Sequence, residues 1–415
     1  MRDILYSTVA IHRHAVEMAE ALIEIDSLGL WHGACLWPAE SATWKKILQM
    51  ASALSHQTAG AMVRRRVERV VAEKTRGRWW GELEQAVAGK VFRKRLWADQ
   101  MWERQERGLT REAARMLRHG RFRGYVGLEH GALEALQAAK QFGVRTCLVF
   151  TSPHHSFRKK WVEDRMRAEG LSVSLEEREL WRRGIERDQR RDEEMQIADL
   201  VVTNSSLVSA TLAEGGCDPT KLQAVPLGAE APKVNLPFRK RSGPVRFLAS
   251  GPVSLRKGSP FLLQAWKKVS PRAARLDFYG GFLLDGGPAR WQTVGVTFHG
   301  NRPPHEVQEA YHAADVLIFP TLCDGFGMVV AEAMAAGCVV ITTRNAGASD
   351  WIEDGKNGWV VEPGSAESLA EAIQKAIDTG DCLEEMKERA REKARQNSWY
   401  LFRRRFRDAL KTGGL

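Results

Sequence analysis

The second half of the chain alternates short apolar segments with helical segments of about ten residues, and this pattern restricts the fold more than any other feature of the sequence. The short segments are rich in β-branched and aromatic residues, as expected of buried strands, whereas the longer ones carry apolar residues at helical spacing. The predicted strands are 245–250, 274–280, 296–300, 315–321 and 338–343, and the predicted helices are 258–269, 305–314 and 329–336. Strands that alternate with helices predict a parallel sheet covered by helices on both faces.

The first half repeats this pattern less regularly, so we expect two α/β domains. A chain of 415 residues is also too long for one ordinary domain. The predicted division is a first domain over 1–228, a linker over 229–244, a second domain over 245–381 and a basic helical tail over 382–415. The linker holds three prolines and a basic run, and the tail could pack back across the domain junction.

Positive charge is concentrated in a segment of the first domain, at about 61–123, that we predict to be a helical insert. The chain has a formal net charge of +11, and the stretch from Arg64 to Arg123 alone holds 18 Lys and Arg against 8 Asp and Glu. The tryptophans of this stretch are Trp79, Trp80, Trp97 and Trp102. Such a segment fits a solvated helical face with buried tryptophans, or contact with an anionic membrane surface. Nucleic acid is the least favoured partner.

Composition argues against several other classes of protein. No apolar run reaches the roughly 18 residues that a membrane span needs. The first 14 residues carry charges where a signal peptide would need an unbroken apolar stretch. The six cysteines are scattered, with no Cys-x-x-Cys pair, which argues against a zinc site or a disulfide framework. We therefore expect a cytoplasmic protein, or one bound peripherally to the inner face of the membrane.

The stretch DGFGMVVAEAMAAG, at 324–337, combines a glycine turn with the start of a helix. Gly325 and Gly327 allow a tight turn and the close approach of another molecule. The N–H groups from Met328 onward open the helix, and a helix N-terminus favours an anion. Glu332 lies about one turn further along and can accept hydrogen bonds from hydroxyls. The stretch therefore indicates a phosphate site beside a hydroxyl-binding carboxylate.

Four stretches together resemble the retaining glycosyltransferases of family 4 in order and spacing. These stretches are 198–230, 250–266, 298–321 and 324–364. The resemblance implies the α/β GT-B fold, in which two Rossmann-like domains face each other across a cleft. It also implies transfer of a sugar from a nucleoside diphosphate sugar to an acceptor hydroxyl, with an α-linkage in the product.

The resemblance implies a donor site in the second domain. The donor-binding residues that it implies are Arg256, Lys257, Gly325, Phe326, Gly327, Met328, Val329 and Glu332. Glu332 matches the acidic residue that clamps the ribose, and the amides that open the helix would hold the diphosphate. Lys257 would stabilise the charge that develops on the departing diphosphate. Asp324 stands at the sugar-contacting position in place of the usual Glu, and it could also cap the helix.

One loop departs from the family pattern. Gly251, Pro252 and Val253 stand in place of the usual Gly-Arg-Leu, so a proline occupies the position of a phosphate-binding arginine. Arg256 could supply the missing charge. If it does not, donor binding or the rate should be weaker than is usual in the family. A solvent-exposed cation at a helix start is the alternative interpretation of Arg256 and of Lys257.

Histidines supply the predicted acceptor side. The candidates are His12, His14, His130, His154 and His155, each of which follows a predicted strand. His154 is the predicted catalytic residue among them, because imidazole titrates near neutral pH and could orient the acceptor hydroxyl or take its proton. A loop histidine bonded only to backbone or solvent is the alternative. Ser205 and Gly228 face the cleft by analogy with the family and are weaker candidates.

No Asp-x-Asp pair lies in a suitable loop, so we predict transfer without a metal and without a cofactor. The predicted partners are a nucleoside diphosphate sugar and an acceptor that is a saccharide, a lipid-linked saccharide or a precursor of a cell-surface polysaccharide. The alternative is a catalytically degenerate protein of the same fold that only binds the nucleotide sugar. Pro252 and Asp324 favour that alternative, whereas Lys257 and Glu332, at family spacing, oppose it.

Overall fold

The computed structural model describes residues 2–8, 12–33, 37–38, 66–67, 74–77, 95–120, 122–170, 175–230, 243–269 and 274–415. In these residues the strands are β1 Arg2–Thr8, β2 Leu28–Gly33, β3 Trp37–Pro38, β4 Arg66–Val67, β5 Thr75–Gly77, β6 Phe122–Leu128, β7 Arg145–Phe150, β8 Leu200–Thr203, β9 Leu222–Ala224, β10 Val245–Ser250, β11 Ala274–Tyr279, β12 Val296–Gly300, β13 Val316–Phe319, β14 Val339–Thr343 and β15 Gly358–Val361. The helices are α1 Arg13–Glu24, α2 Arg95–His119, α3 Leu133–Gln141, α4 His155–Arg158, α5 Arg165–Ala168, α6 Leu175–Ile197, α7 Ser206–Glu214, α8 Ser259–Val269, α9 Gly287–Arg290, α10 Pro304–Ala313, α11 Met328–Ala336, α12 Ala366–Asp378, α13 Leu383–Gln396 and α14 Trp399–Thr412.

The described strands of the first domain form a seven-stranded sheet in the order β5-β2-β1-β6-β7-β8-β9. The pairs are parallel, with Leu5 opposite Leu30 on one side and Tyr125 on the other. The order reverses between β1 and β6, because the chain first builds outward through β2 and then returns to the other side of β1. Ligand crevices of open α/β sheets form outside the carboxyl ends of the strands at such a reversal.

The second domain is a six-stranded parallel sheet in the order β12-β11-β10-β13-β14-β15. Its order reverses between β10 and β13, where Phe247 lies between Leu276 and Val316. Neighbouring residues of a strand point to opposite faces, and both faces are buried here. Phe247 packs on one side with α8 and α12, while Leu248 packs on the other with α11 and α13. This double burial explains the continuous apolar strands of the sequence.

The last helix belongs to the second half of the chain but packs on the first domain. Arg403 of α14 pairs with Glu17 of α1 at 2.6 Å and with Glu24 at 2.7 Å. Just before this helix, the carbonyl oxygen of Asn397 accepts a hydrogen bond from the amide of Ala229 at 2.7 Å. The chain therefore crosses between the domains twice. Of the predicted linker, residues 231–242 lie outside the described residues.

The basic segment at about 61–123 is helical over α2 but extended at β4 and β5. Thr75 of β5 pairs with Trp31 at the edge of the first sheet, so pairing with a sheet edge replaces the helix predicted there. Trp79 and Trp80 lie outside the described residues. None of the helices in the described part of the chain is both long enough and apolar enough to cross a bilayer.

Candidate active site

A cavity of about 600 Å³ lies between the two domains. The first domain lines it with residues of α2 and α6 and with the loops that follow β6 and β7. The second domain lines it with Arg256, Cys323, Asp324 and Gly325. The loops after β6, β10 and β13 leave the carboxyl ends of strands next to the reversal in each sheet. The cavity therefore occupies the position in which α/β proteins bind ligands.

Lys257 and Asp324 come from the loops after β10 and β13 and meet at 2.5 Å, Nζ to Oδ2. The two loops are bonded to each other, since the amide of Leu322 donates to the carbonyl of Arg256 at 2.8 Å. The Lys257 ammonium also lies 4.6 Å from the centre of the Phe319 ring, a cation–π contact. Burial lowers the pKa of Lys257, and the Asp324 carboxylate opposes that shift.

Arg256 reaches the cavity, whereas Pro252 does not provide a charge there. The Arg256 guanidinium donates to the carbonyl of Cys323 at 3.1 Å and lies 3.4 Å from Asp324 Oδ2. Its side chain is 44% exposed. The loop that holds Pro252 is bonded to the neighbouring strand end, with the Val253 amide donating to Gly281 at 2.9 Å. Arg256 is therefore placed to supply the charge that the proline lacks.

The glycine turn leads into the N-terminus of α11. Gly327 caps this helix with φ +88° and, having no side chain, makes no side-chain capping bond to the amides that open it. Met328 and Val329, in the first turn, are half-buried. The Phe326 side chain is buried edge-on against Trp351, with 5.4 Å between the ring centroids. Phe326 can therefore contribute only its backbone to a ligand, while the helix amides remain suited to an anion.

Glu332 lies one turn into α11 beside two hydroxyls. The Tyr311 hydroxyl donates to Ser250 Oγ at 2.9 Å and lies 3.3 Å from Glu332 Oε2. Solvent reaches the Glu332 side chain, yet the surrounding protein desolvates the carboxyl and raises its pKa. The Tyr311 bond opposes this shift and Glu230 adds to it. The carboxylate is thus held at the domain surface in a position to accept hydrogen bonds.

The domains touch each other at the glycine turn. A Cβ at Gly325 would lie 1.8 Å from the carbonyl oxygen of Thr151, and Ser205 Oγ donates to the carbonyl of Gly325 at 2.6 Å. Ser205 therefore joins the domains. Gly228 does not face the cavity, because a Cβ there would lie 2.5 Å from the amide nitrogen of Trp399. Because Gly228 has no side chain, the backbone at Trp399, where the chain returns to the first domain, can pass close to it.

His154 packs beside the cavity and is not among the residues that line it, and its catalytic role stays a prediction. Its ring is buried, with Nδ1 2.7 Å from Ser156 Oγ and Nε2 3.1 Å from Asp192. A Cβ at Gly215 would lie 2.4 Å from this ring. His155 binds the same Asp192 carboxylate at 3.0 Å. Among the described residues, His154, His155 and Asp192 form the one group whose potential metal-ligand atoms lie within 4.8 Å of one another.

His130 is the predicted acceptor-side histidine that lines the cavity. It has φ +74°, a strained value for a residue other than glycine, and its amide donates to Glu194 at 2.8 Å. The ring Nδ1 is buried and has no hydrogen-bond partner within the described part of the chain. Burial lowers the pKa of His130 to about 4, against the opposing effect of Glu129. A neutral imidazole with an unused nitrogen therefore borders the cavity.

Glu129 organises the wall around His130. One oxygen accepts hydrogen bonds from the amides and hydroxyls of Thr151 and Ser152 at 2.7 to 2.9 Å. The other accepts from Arg191 at 2.5 Å. Burial alone would raise the pKa of Glu129, but Arg191, His130 and these donors outweigh it and lower the pKa to about 2. The carboxylate stays ionised and fixes the loop after β7.

His12 and His14 lie at the start of α1, next to the reversal in the first sheet. Their rings stack with 5.4 Å between centroids. Burial lowers the pKa of His14 to about 3, and His12 adds to this effect. His14 Nε2 is buried without a hydrogen-bond partner among the described residues. Neither histidine lines the cavity between the domains.

Helix α6 also lines the cavity, a contribution that the sequence did not predict. Arg187, Asp188 and Arg191 of this helix all line the cavity. Arg187 and Arg191 are four residues apart and therefore share one helical face. This spacing is the one sign in the sequence that the two arginines act together. It lies in a run of charged residues that looks like a solvated surface.

Parts of this chain are similar in sequence to known glycosyltransferases. Residues 244–379 match the family model described as Glycosyl transferases group 1. The putative colanic acid biosynthesis glycosyltransferase WcaL of Salmonella typhimurium is 27% identical over 218 residues, 48% of this chain and 53% of that protein. The D-inositol 3-phosphate glycosyltransferase of Corynebacterium kroppenstedtii is 33% identical over 122 residues, 28% of this chain and 27% of that protein. The matched region thus spans about half of the first relative and about a quarter of the second.

Solved structures resemble the chain over nearly its whole length. Sucrose-phosphate synthase of Thermosynechococcus elongatus gives a TM-score of 0.64 at 17% identity, covering 100% of this chain and 98% of that one. Anabaena Alr3699/HepE, in complex with UDP and glucose, gives 0.57 at 14% identity, covering 99% and 100%. Likeness at this identity concerns the fold, and it confirms the predicted GT-B arrangement of two Rossmann-like domains.

Proposed function

We propose that this chain transfers a sugar from a nucleoside diphosphate sugar to an acceptor hydroxyl. The match to the group 1 glycosyltransferase family model and the curated relatives support this proposal. The observation that carries the proposal is the contact of Lys257 with Asp324 at the reversal of the second sheet. It lies beside the amides that open α11. A cation, a carboxylate and a helix N-terminus at one reversal suit a diphosphate joined to a sugar.

The donor is held by four groups of the second domain. The amides of α11 and the Lys257 ammonium bind the diphosphate, and Arg256 adds a second cation from the cavity wall. Glu332 accepts hydrogen bonds from the ribose hydroxyls. As the sugar–oxygen bond breaks, negative charge grows on the diphosphate, and a fixed ammonium stabilises that charge more in the transition state than in the ground state.

Asp324 changes its partner when the donor binds, from Lys257 to the transferred sugar. In the structure it neutralises Lys257, and a bound diphosphate competes for the same ammonium. Asp324 is then released to accept hydrogen bonds from hydroxyls of the transferred sugar. Because cations and helix amides already face the diphosphate, we include in the proposal that transfer needs no metal. The proposal also includes retention of configuration at the anomeric carbon of the transferred sugar.

On the acceptor side, His130 takes the role that the sequence predicted for His154. The imidazole is neutral, and a rotation of the ring would turn the buried, unpartnered Nδ1 toward the cavity, where it would accept a hydrogen bond from the acceptor hydroxyl. HepE was solved with UDP and with UDP-glucose, which makes UDP-sugars the first donors to test here. The colanic acid relative favours an acceptor in the assembly of a cell-surface polysaccharide. Work on such an acceptor would place the enzyme in the cytoplasm, at the inner face of the membrane.

A catalytically degenerate binding protein is the second candidate, and the observation that favours it is Pro252 in the phosphate loop. Both candidates predict nucleotide binding, so turnover separates them. A panel of UDP-, GDP-, ADP- and dTDP-sugars should contain one donor that raises the melting temperature and is slowly hydrolysed, with or without EDTA. Stabilisation without hydrolysis would support the degenerate protein, and no stabilisation by any donor would reject both.

Variants assign the effect to the site. Lys257→Ala and Glu332→Gln should reduce the stabilisation by donor. Lys268→Ala is the matched control, because Lys268 is an exposed lysine in the last turn of α8 that pairs with Glu367. If the control variant loses as much stabilisation as the other two, the assignment of the site is wrong.

A further inference from the structure

The arginines that line the cavity are already paired with carboxylates. The pairs are Arg158 with Asp188 at 2.9 Å, Arg187 with Asp99 at 2.6 Å, Arg191 with Glu129 at 2.5 Å and Arg256 with Asp324 at 3.4 Å. On the first-domain side the guanidinium charges are thus balanced within the wall. An anionic group entering here would have to displace a carboxylate, and it would meet Asp99 and Asp188 at close range. The wall instead offers neutralised donors and acceptors side by side.

An aromatic ring lies among these pairs. Trp102 of α2 lines the cavity, and its ring meets His130 at an interplanar angle of 69° with 5.7 Å between centroids. The Arg187 guanidinium lies 5.5 Å from the centre of the Trp102 ring, and Asp99 holds that guanidinium in place. The indole is therefore fixed by its neighbours, is half-buried and forms part of the cavity wall.

We infer that Trp102 is the platform for an uncharged sugar ring of the acceptor. A pyranose has an apolar face of C–H groups and a rim of hydroxyls. The indole provides a rigid apolar surface for the face, and the carboxylate–guanidinium pairs of Asp99, Arg187 and Asp188 provide acceptors and donors for the rim. The inference rests on the proposed function and adds the chemical class of the acceptor.

The placement of Trp102 also separates it from the membrane role that the basic segment suggested. A tryptophan that anchors a protein to lipid headgroups must face outward, whereas Trp102 faces the cavity between the domains. Trp97 lies on the same helix, five residues earlier and therefore on a different face. It is 37% exposed and does not line the cavity. Trp97 is thus a matched control for removal of an indole from α2.

The test is saturation-transfer difference NMR on the full chain with UDP present. The probes are the methyl pyranosides of glucose, galactose and mannose, with glucose 6-phosphate as the anionic comparison. We expect at least one methyl pyranoside to receive saturation and to bind more tightly than glucose 6-phosphate. Trp102→Ala should weaken that binding about tenfold or more, which corresponds to about 1.4 kcal/mol. Trp102→Phe should keep part of it, and Trp97→Ala should leave it unchanged.

Several results would overturn the inference: tighter binding of glucose 6-phosphate, equal binding by Trp102→Ala, or saturation of none of the methyl pyranosides. The melting temperature of each variant with and without UDP shows that the donor side is intact. If UDP stabilises the protein while the pyranosides fail to bind, the inference fails and the proposed function stands. If no donor nucleotide stabilises the protein, the proposed function fails, and the inference fails with it.

Discussion

The ammonium of Lys257 lies 2.5 Å from the carboxylate of Asp324, across the point at which the strand order of the second sheet reverses. Both side chains are largely shielded from solvent, so the pair exchanges hydration for mutual contact. Arg256 adds a weaker contact to the same carboxylate oxygen at 3.4 Å. A diphosphate that enters this place therefore exchanges one anionic partner of Lys257 for another.

Asp324→Asn should strengthen the binding of a nucleoside diphosphate and slow sugar transfer. The amide keeps the shape of the side chain but no longer neutralises Lys257, so the ammonium is free for the diphosphate. We expect UDP to bind several-fold more tightly by calorimetry, and the transfer or hydrolysis rate to fall by about tenfold to a hundredfold, as for loss of one positioned group. Weaker UDP binding by Asp324→Asn would contradict competition for Lys257.

The affinity for the donor should depend on pH through Glu332. Its raised pKa means that the carboxyl gains a proton at a higher pH than an ordinary carboxyl does, whose pKa is 4.5. The protonated form accepts hydrogen bonds poorly, so affinity should fall on acidification and begin to fall above pH 4.5. Titrations of UDP binding from pH 8 to pH 5 test this. Glu332→Gln should flatten the profile, whereas Glu371→Gln, exposed on α12, should not.

The stability of the first domain should depend on pH through Glu129. Its pKa of about 2 lies below the ordinary 4.5, so the unfolded state binds more protons between these values. The stabilisation is complete above pH 4.5 and is lost as the pH falls toward 2, and it amounts to about 3 kcal/mol at neutral pH. Glu129→Gln should therefore have a lower free energy of unfolding than wild type in urea at pH 7. The difference between the two free energies should narrow at pH 4 and pH 3. A gap that stays constant with pH would contradict this account.

His154→Ala should lower stability and leave the chemistry in place. The change removes two side-chain contacts and leaves space beside Gly215, which we expect to cost about 1–3 kcal/mol. Donor hydrolysis should stay within about threefold once the folded fraction is accounted for. His130→Ala should do the opposite, with a small change in melting temperature and a loss of transfer activity of about a hundredfold. The two variants, measured side by side, decide which histidine serves the acceptor.

Gly325→Ala should separate the domains at the cavity. The added methyl group would lie 1.8 Å from the Thr151 carbonyl oxygen, so backbone must move and the bond from Ser205 must lengthen. We expect a lower melting temperature and a larger radius of gyration by small-angle X-ray scattering. Gly355→Ala is a control, because a Cβ there meets nothing within 4 Å, although its φ of +70° adds a local backbone cost. Equal scattering curves for the two variants would show that the domain contact does not depend on Gly325.

The parts of the fold that the sequence predicted well are those that local pattern determines. Short apolar strands and ten-residue helices specify a parallel sheet because each strand is buried on both faces. The turn at Gly327 was readable for the same reason, since a helix start after a glycine is a local event. Both features depend on neighbours within about one helical turn.

The surroundings of His154 and Trp102 could not be predicted from the sequence, because they depend on partners far along the chain. His154 looks like a catalytic loop histidine, but its ring is held by Asp192, 38 positions away, and lies against Gly215. Trp102 lies in a basic segment that suggested a surface, and only the tertiary fold brings it beside His130. No spacing rule in a single sequence carries such contacts, because they arise from how separate helices pack.

The last helix, α14, has a consequence for how the chain is made. Its Phe402, Phe406 and Leu410 share one buried core with α1 residues such as Leu22. The ion pair of Arg403 with Glu17 joins positions 386 residues apart. Domains usually fold in order as they leave the ribosome, yet the core of the first domain lacks one of its helices until α14 has been synthesised. The first domain therefore completes its core only after the second domain has been synthesised, and during that interval the apolar face of α1 needs protection from aggregation.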